Sequence, residues 1–112
     1  MIHKEIIEAV CSQSGLSEKE LLGPSRAQRL VSARFMAYWL IRRHCEYTLD
    51  RIGRIFGDRD HTTILHGLSR AEALANEDED FDDRLSQLDQ MVVEHILGEG
   101  YGPGFITTRN TT

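Results

Sequence analysis

The sequence predicts an all-α domain with a helix-turn-helix near its middle. Three observations carry this. Apolar residues recur at three- and four-residue spacing along most of the chain, and the long segments avoid β-branched alternation. The only two prolines, Pro24 and Pro103, fall in linker-like stretches. Two short helical patterns meet at Gly57-Asp58-Arg59-Asp60, where a glycine-bearing turn runs into a capped helix start. With 112 residues the chain can build one modest helical core and not two.

Ile2, Ile6, Ile7, Val10 and Cys11 place a first amphipathic helix over residues 2–14, ended by Gly15. Ser17 with Glu20 three residues later fits a capping box and opens a brief turn through Leu21 and Leu22. Gly23-Pro24-Ser25 breaks the helix and begins a loop carrying Arg26, Gln28 and Arg29. From 30 to 45 the stripe of Leu30, Val31, Arg34, Met36, Ala37, Leu40 and Ile41 predicts a long helix with arginines at its edges. Tyr38 and Trp39 read as packing residues. Thr48 is an N-cap for a short helix bearing Leu49, Ile52, Ile55 and Phe56, which Gly57 ends.

Asp60 then caps the next helix. Ile64, Leu65, Leu68, Ala71 and Ala75 form its inner stripe, leaving Thr62, Thr63, His66 and Arg70 outside. The acidic run from Asn76 to Asp83 reads as a solvated linker whose acids favour the start of the following helix. Phe81, Leu85, Leu88, Met91, Val92 and Ile96 mark that last helix to about Leu97. The domain is expected over residues 1–97. The glycine-rich stretch from Gly98 onward cannot hold regular structure, so 98–112 is expected to be a disordered tail.

Charge is segregated. The chain carries a net −5, yet residues 24–70 hold nine arginines against four acids, a local +5, while residues 1–23 carry −2 and residues 71–112 carry −8. A basic middle on an acidic body fits a nucleic-acid face, and the overall sign warns of weak affinity, because phosphate neutralisation normally dominates binding. The acidic end also leaves room for a protein partner. Cys11 and Cys45 lack any C-x-x-C spacing and read as reduced thiols. His44 beside Cys45 lacks the partner cluster a metal site needs. No secretory leader or apolar stretch of membrane-spanning length is visible, so a cytoplasmic, nucleoid-associated protein without membrane contact is expected, as a monomer.

The chemistry-bearing stretch is Asp60-His61-Thr62-Thr63. Small polar side chains on the first turn of a helix, after a tight turn and a preceding short helix, are what a helix-turn-helix presents to the DNA major groove. A carboxylate can accept from a cytosine amine, and a threonine can pack its methyl on thymine or hydrogen-bond either way. A catalytic reading fails: neighbours in a helix point in different directions, so Asp60, His61 and Thr62 are no triad. No Gly-x-x-x-x-Gly-Lys-[Ser/Thr] occurs, so no ATPase module, enzyme activity, cofactor or metal is expected.

Arg59-Asp60-His61-Thr62-Thr63-Ile64-Leu65-His66 resembles the highly specific signature of domain IV, the C-terminal DNA-binding domain of the bacterial replication initiator DnaA. The family pattern is Gly-Gly-Arg-Asp-His-Thr-Thr-Val-Leu-His; here Asp58 replaces the second glycine and Ile64 the valine. Ile52-Gly53 and Phe56-Gly57 fit the spacing before it, and the resemblance covers roughly residues 2–96. It implies a Trp-repressor-like helix-turn-helix that binds double-stranded DNA at DnaA-box-like sites and regulates replication initiation or transcription. Asp60, His61, Thr62 and Thr63 would read base edges in the major groove, and Arg26 would enter the adjacent minor groove. Arg34, Arg42, Arg59 and Arg70 are candidates for phosphate contacts. The loop around Arg26 is less basic than the family's, and Met1 together with the tail suggests a free-standing small protein. The alternative is an adaptor that keeps the fold and binds a protein through its acidic C-terminal helix and tail.

Overall fold

The structure, a computed structural model, describes residues 2–96. Six α-helices follow one another: α1 Ile2–Ser14, α2 Glu18–Leu22, α3 Gln28–Cys45, α4 Leu49–Ile55, α5 His61–Glu77 and α6 Glu79–Met91. A π-helical turn, Val92–Ile96, continues α6, and the described residues contain no strand. The expected tail over 98–112 lies outside the described residues.

The caps form where local chemistry demands them. Gly15 ends α1 at φ +69°, a left-handed turn that costs glycine little. At α2 the Ser17 hydroxyl accepts from the Glu20 N–H (3.1 Å), and the Ser17 N–H donates back to the Glu20 carboxylate (2.9 Å). Those bonds hold the Glu20 carboxyl below its ordinary pKa, the bond from the Ser17 backbone contributing most. Thr48 caps α4 by accepting from the Arg51 N–H (3.1 Å).

Helix α3 is the spine. It packs against α1 on one side and α5 on the other. Ile6, Ile7, Val10, Leu21, Met36, Leu40, Ile41, Ile52, Phe56, Ile64, Leu88 and Val92 fill the centre, each essentially without solvent contact. Tyr38 of α3 meets Phe56 edge to face, with ring centroids 4.9 Å apart. Helix α5 comes so close to α3 that a methyl group on Gly67 would lie 2.5 Å from the Tyr38 ring. Helices α4 and α5 make the helix-turn-helix.

Two expectations need correction. The acidic run is no linker: α5 continues to Glu77 and α6 starts at Glu79. Asp78 serves both, its N–H donating to the Leu74 carbonyl (2.8 Å) and its carboxylate accepting from the Phe81 N–H (3.2 Å). One residue that terminates one helix and caps the next makes a loop unnecessary. Leu65 does not belong to the inner stripe of α5. It is 55% exposed and is the only large apolar side chain so exposed among the described residues. Ile64, Gly67 and Ala71 bury instead, because the close α3–α5 approach narrows the inward face to those positions.

Candidate nucleic-acid interface

The turn before α5 is built from backbone contacts. Gly57 and Asp58 both adopt left-handed conformations, at φ +76° and +59°. The Arg59 N–H then donates to the Gly53 carbonyl (2.9 Å), folding the turn back onto α4. Gly53 is required there, since a β-carbon on it would lie 2.0 Å from the Arg59 carbonyl oxygen. Asp60 follows with extended backbone and caps α5.

His61, Thr62 and Thr63 stand exposed on the first turn of α5. Asp60 organises two of them. One carboxylate oxygen accepts the Thr62 N–H (3.5 Å) and lies 2.9 Å from the His61 Nδ1, while the other accepts the Thr62 hydroxyl (3.0 Å). The same His61 nitrogen lies 3.6 Å from Asp50 of α4. Both oxygens of Asp60 are thus engaged within the protein, so any base it meets must share them. Thr63 makes no side-chain hydrogen bond among the described residues, and its hydroxyl is free to turn toward a ligand.

The hydrogen bonds from Thr62 hold the Asp60 carboxyl below its ordinary value of 3.8. A lowered folded-state pKa means the cap stabilises fully above the unfolded value and fades as pH falls through the folded one. Asp60→Ala should therefore lower Tm more at about pH 7 than at about pH 3.5. Thermal melts of both proteins at the two pH values test this; an equal gap at both would show that the ionised carboxylate is not the cap.

Arg26, distant in sequence, is brought to the same face. It lies exposed in the α2–α3 loop and lines a groove of about 720 Å³ together with Thr63 and His66 of α5. Arg34 and Arg59 also reach this groove, and its lining holds no carboxylate. Arg70 is exposed farther along α5, and Arg42 is exposed at the end of α3, where it donates to the Tyr47 carbonyl.

Arg34 and Arg59, two of the candidates for phosphate contacts, turn their guanidiniums onto backbone carbonyls. Arg34 is only 5% exposed. Its guanidinium donates to four backbone carbonyls: Leu21 (2.7 Å), Ser25 (2.5 Å), Glu20 (3.0 Å) and Gly23 (2.7 Å). Burial, and then the neighbouring Arg59 charge, pull its pKa down from the ordinary value. Arg59 is half-buried and donates to the Gly23 (2.6 Å), Phe56 (2.5 Å) and Leu22 (3.5 Å) carbonyls. A guanidinium has five N–H donors in a fixed fork, which suits a cluster of inward-pointing carbonyls at a loop.

A family profile described as bacterial DnaA protein helix-turn-helix matches residues 3–70, from α1 into α5. The chain belongs to this family. Relatives of this DnaA family include the chromosomal replication initiator protein DnaA of Corynebacterium jeikeium, 32% identical over 95 residues. That alignment covers 85% of this chain and 16% of the relative. The DnaA of Picosynechococcus is 30% identical over 90 residues, 80% of this chain and 20% of the relative. The DnaA of Thermus thermophilus is 39% identical over 74 residues, 66% of this chain and 17% of the relative. The chain therefore spans about a fifth or less of the length of these initiators.

Leu65 is the residue of α5 that sequence reasoning misplaced. About one helical turn beyond the tip, it is exposed like His61, Thr62 and Ser69, and the signal for it was one apolar residue more than a narrow stripe can hold. Elsewhere, the half-buried His44 places Nε2 2.6 Å from Asp89 of α6. Cys11 and Cys45 are free thiols, both raised in pKa chiefly by burial. No helix among the described residues is long and apolar enough to cross a membrane.

Proposed function

We propose that this chain binds double-stranded DNA sequence-specifically, at sites like those of the DnaA initiators, and acts as a reader without ATPase activity of its own. One observation carries the reading. The exposed tip of the second helix of a DnaA-family helix-turn-helix shares a groove with Arg26, an exposed cation on a separate loop. His61, Thr62 and Thr63 read base edges in the major groove, with Asp60 ordering the tip. Leu65 adds an apolar surface of the kind that packs on a thymine methyl. Arg26 enters the neighbouring minor groove, where negative potential is strongest over A·T-rich sequence. Arg42 and Arg70 serve the phosphates.

Occupying such sites would regulate replication initiation or transcription from a cytoplasmic, nucleoid-associated position. With two of its arginines turned inward, the basic middle has less charge for phosphate than its composition suggests, so affinity should be modest and its salt slope shallow.

Fluorescence-anisotropy titrations with duplexes carrying an initiator-type site and scrambled controls test this. Thr63→Ala should lose about 1–3 kcal/mol of discrimination between the two while nonspecific affinity holds. Equal affinity for both duplexes in the unmodified protein would overturn sequence-specific binding.

A second reading, an adaptor for a protein partner, is favoured by the cleft between α3, α5 and α6. Glu72, Asp82 and Asp89 surround the half-buried Trp39 there. Absence of any duplex shift at low salt would favour it over DNA reading.

A further inference from the structure

We propose that Arg59 and Arg34 act as positioning residues that hold the minor-groove loop in register with the major-groove helix, so that the two grooves are read as one site. This inference rests on the reading in which Arg26 enters the minor groove.

The Gly23 carbonyl oxygen accepts from two guanidiniums at once, Arg34 Nη2 at 2.7 Å and Arg59 Nη2 at 2.6 Å. Arg34 also holds the carbonyl of Ser25, the residue immediately before Arg26. The loop is thus gripped on its approach to Arg26 and at its last residue before it. Arg59 is fixed at its other end. Its N–H bonds the Gly53 carbonyl, and its own carbonyl packs onto Gly53 so closely that no β-carbon fits between. The next residue is Asp60, which caps α5 and engages His61 and Thr62. One residue therefore has its backbone in the turn that aims the recognition tip and its side chain on the loop that presents Arg26.

Reading two adjacent grooves requires a fixed offset between the reading groups, because the sugar-phosphate strand between them sets their spacing. The α2–α3 loop has few other means of keeping that offset. Pro24 through Arg29 are exposed, and among the described residues the only side-chain hydrogen bond to a loop N–H is the 3.3 Å contact from Ala27 to the Ser25 hydroxyl. With neither arginine paired to a carboxylate among the described residues, their donors go to carbonyls, and burial of Arg34 is offset by the loop geometry it fixes.

The test compares binding to a site flanked by A·T pairs with binding to the same site flanked by G·C pairs, in the unmodified protein, Arg26→Ala, Arg59→Ala and Arg26→Ala/Arg59→Ala. Arg26→Ala should erase a flank preference of roughly tenfold, the size of one base-pair discrimination. Arg59→Ala, with Arg26 intact, should erase most of it too, and the double variant should lose no more. Thermal melts identify unfolded protein; if Arg59→Ala unfolds, Arg59→Lys, which keeps the charge but not the fork, takes its place with the same expectation. A phosphate role for Arg59 predicts the opposite: uniform weakening on all duplexes, a salt slope shallower by about one contact, and an intact flank preference. That result overturns the positioning role and leaves the function standing. An unmodified protein without flank preference overturns the minor-groove reading itself, and this inference with it.

Discussion

Gly53→Ala should lower the stability of the domain by about 3 kcal/mol or more, seen as a fall in Tm of more than about 10 °C. The added methyl would lie 2.0 Å from the Arg59 carbonyl oxygen and 3.7 Å from the Ile64 side chain. The first of these is backbone and cannot rotate away. Relieving the clash means moving the turn off α4, which breaks the bond from the Arg59 N–H to the Gly53 carbonyl and disturbs the burial of Ile52, Phe56 and Ile64 around it. Gly15→Ala is the matched control. It is strained at φ +69° but meets nothing within 4 Å, so about 1–2 kcal/mol is expected. Circular-dichroism melts of the two variants decide the matter. If Gly53→Ala costs no more than Gly15→Ala, the turn does not depend on that close approach. DNA binding should fall with folding in Gly53→Ala, since the tip of α5 begins at the displaced turn.

That turn also shows what a sequence can and cannot display. Caps are contacts between residues two or three apart, so Ser17 with Glu20, Thr48 and Asp60 were readable as caps from spacing and residue type. The order of the helices followed from apolar periodicity, though not the extent of the last two, and the signature around Asp60 pointed to the family. The inward turn of Arg34 and Arg59 was not readable. Their partners are backbone carbonyls, which every residue has, and they lie 9 to 14 residues away for Arg34 and up to 37 for Arg59. An arginine at the edge of an amphipathic stripe looks the same whether it leaves for solvent or folds back under a loop. Leu65 failed for a related reason. A wheel of Ile64, Leu65, Leu68 and Ala71 has an edge, and only the tight approach of Gly67 to Tyr38 decides which side of it Leu65 falls on. The gathering of Arg26, Thr63 and His66 around one groove is tertiary in the same sense: the resemblance paired Arg26 with the Asp60–Thr63 tip, His66 had no part in that pairing, and no local pattern encodes the groove.

The same distinction makes Arg34 the second large expected effect. Arg34→Met keeps much of the volume and apolar stem but removes the guanidinium's donors to the Leu21, Ser25, Glu20 and Gly23 carbonyls, of which Gly23 keeps its bond from Arg59 and Glu20 its bond from the Gly23 N–H. Removing one side of a buried hydrogen-bonded set leaves the other side unsatisfied, and each stranded acceptor costs about 1–3 kcal/mol where water cannot reach it. The Leu21 carbonyl is the buried one; the other three lie nearer the surface and regain water in part. Relief of the guanidinium's own desolvation offsets some of the loss, since burial already depresses its pKa. The balance is a destabilisation of about 3 kcal/mol, within the range of a broken buried polar network. Urea unfolding should show a lower midpoint at unchanged m-value, because the core helices that set the exposed surface stay the same. Arg34→Lys should recover little of it, as one ammonium cannot serve four carbonyls arranged for a planar fork. A phosphate-contacting Arg34 would give the reverse pattern, with stability unchanged and DNA affinity largely retained by lysine. The urea midpoint of Arg34→Lys therefore separates an arginine that binds DNA from one that builds the loop beside it.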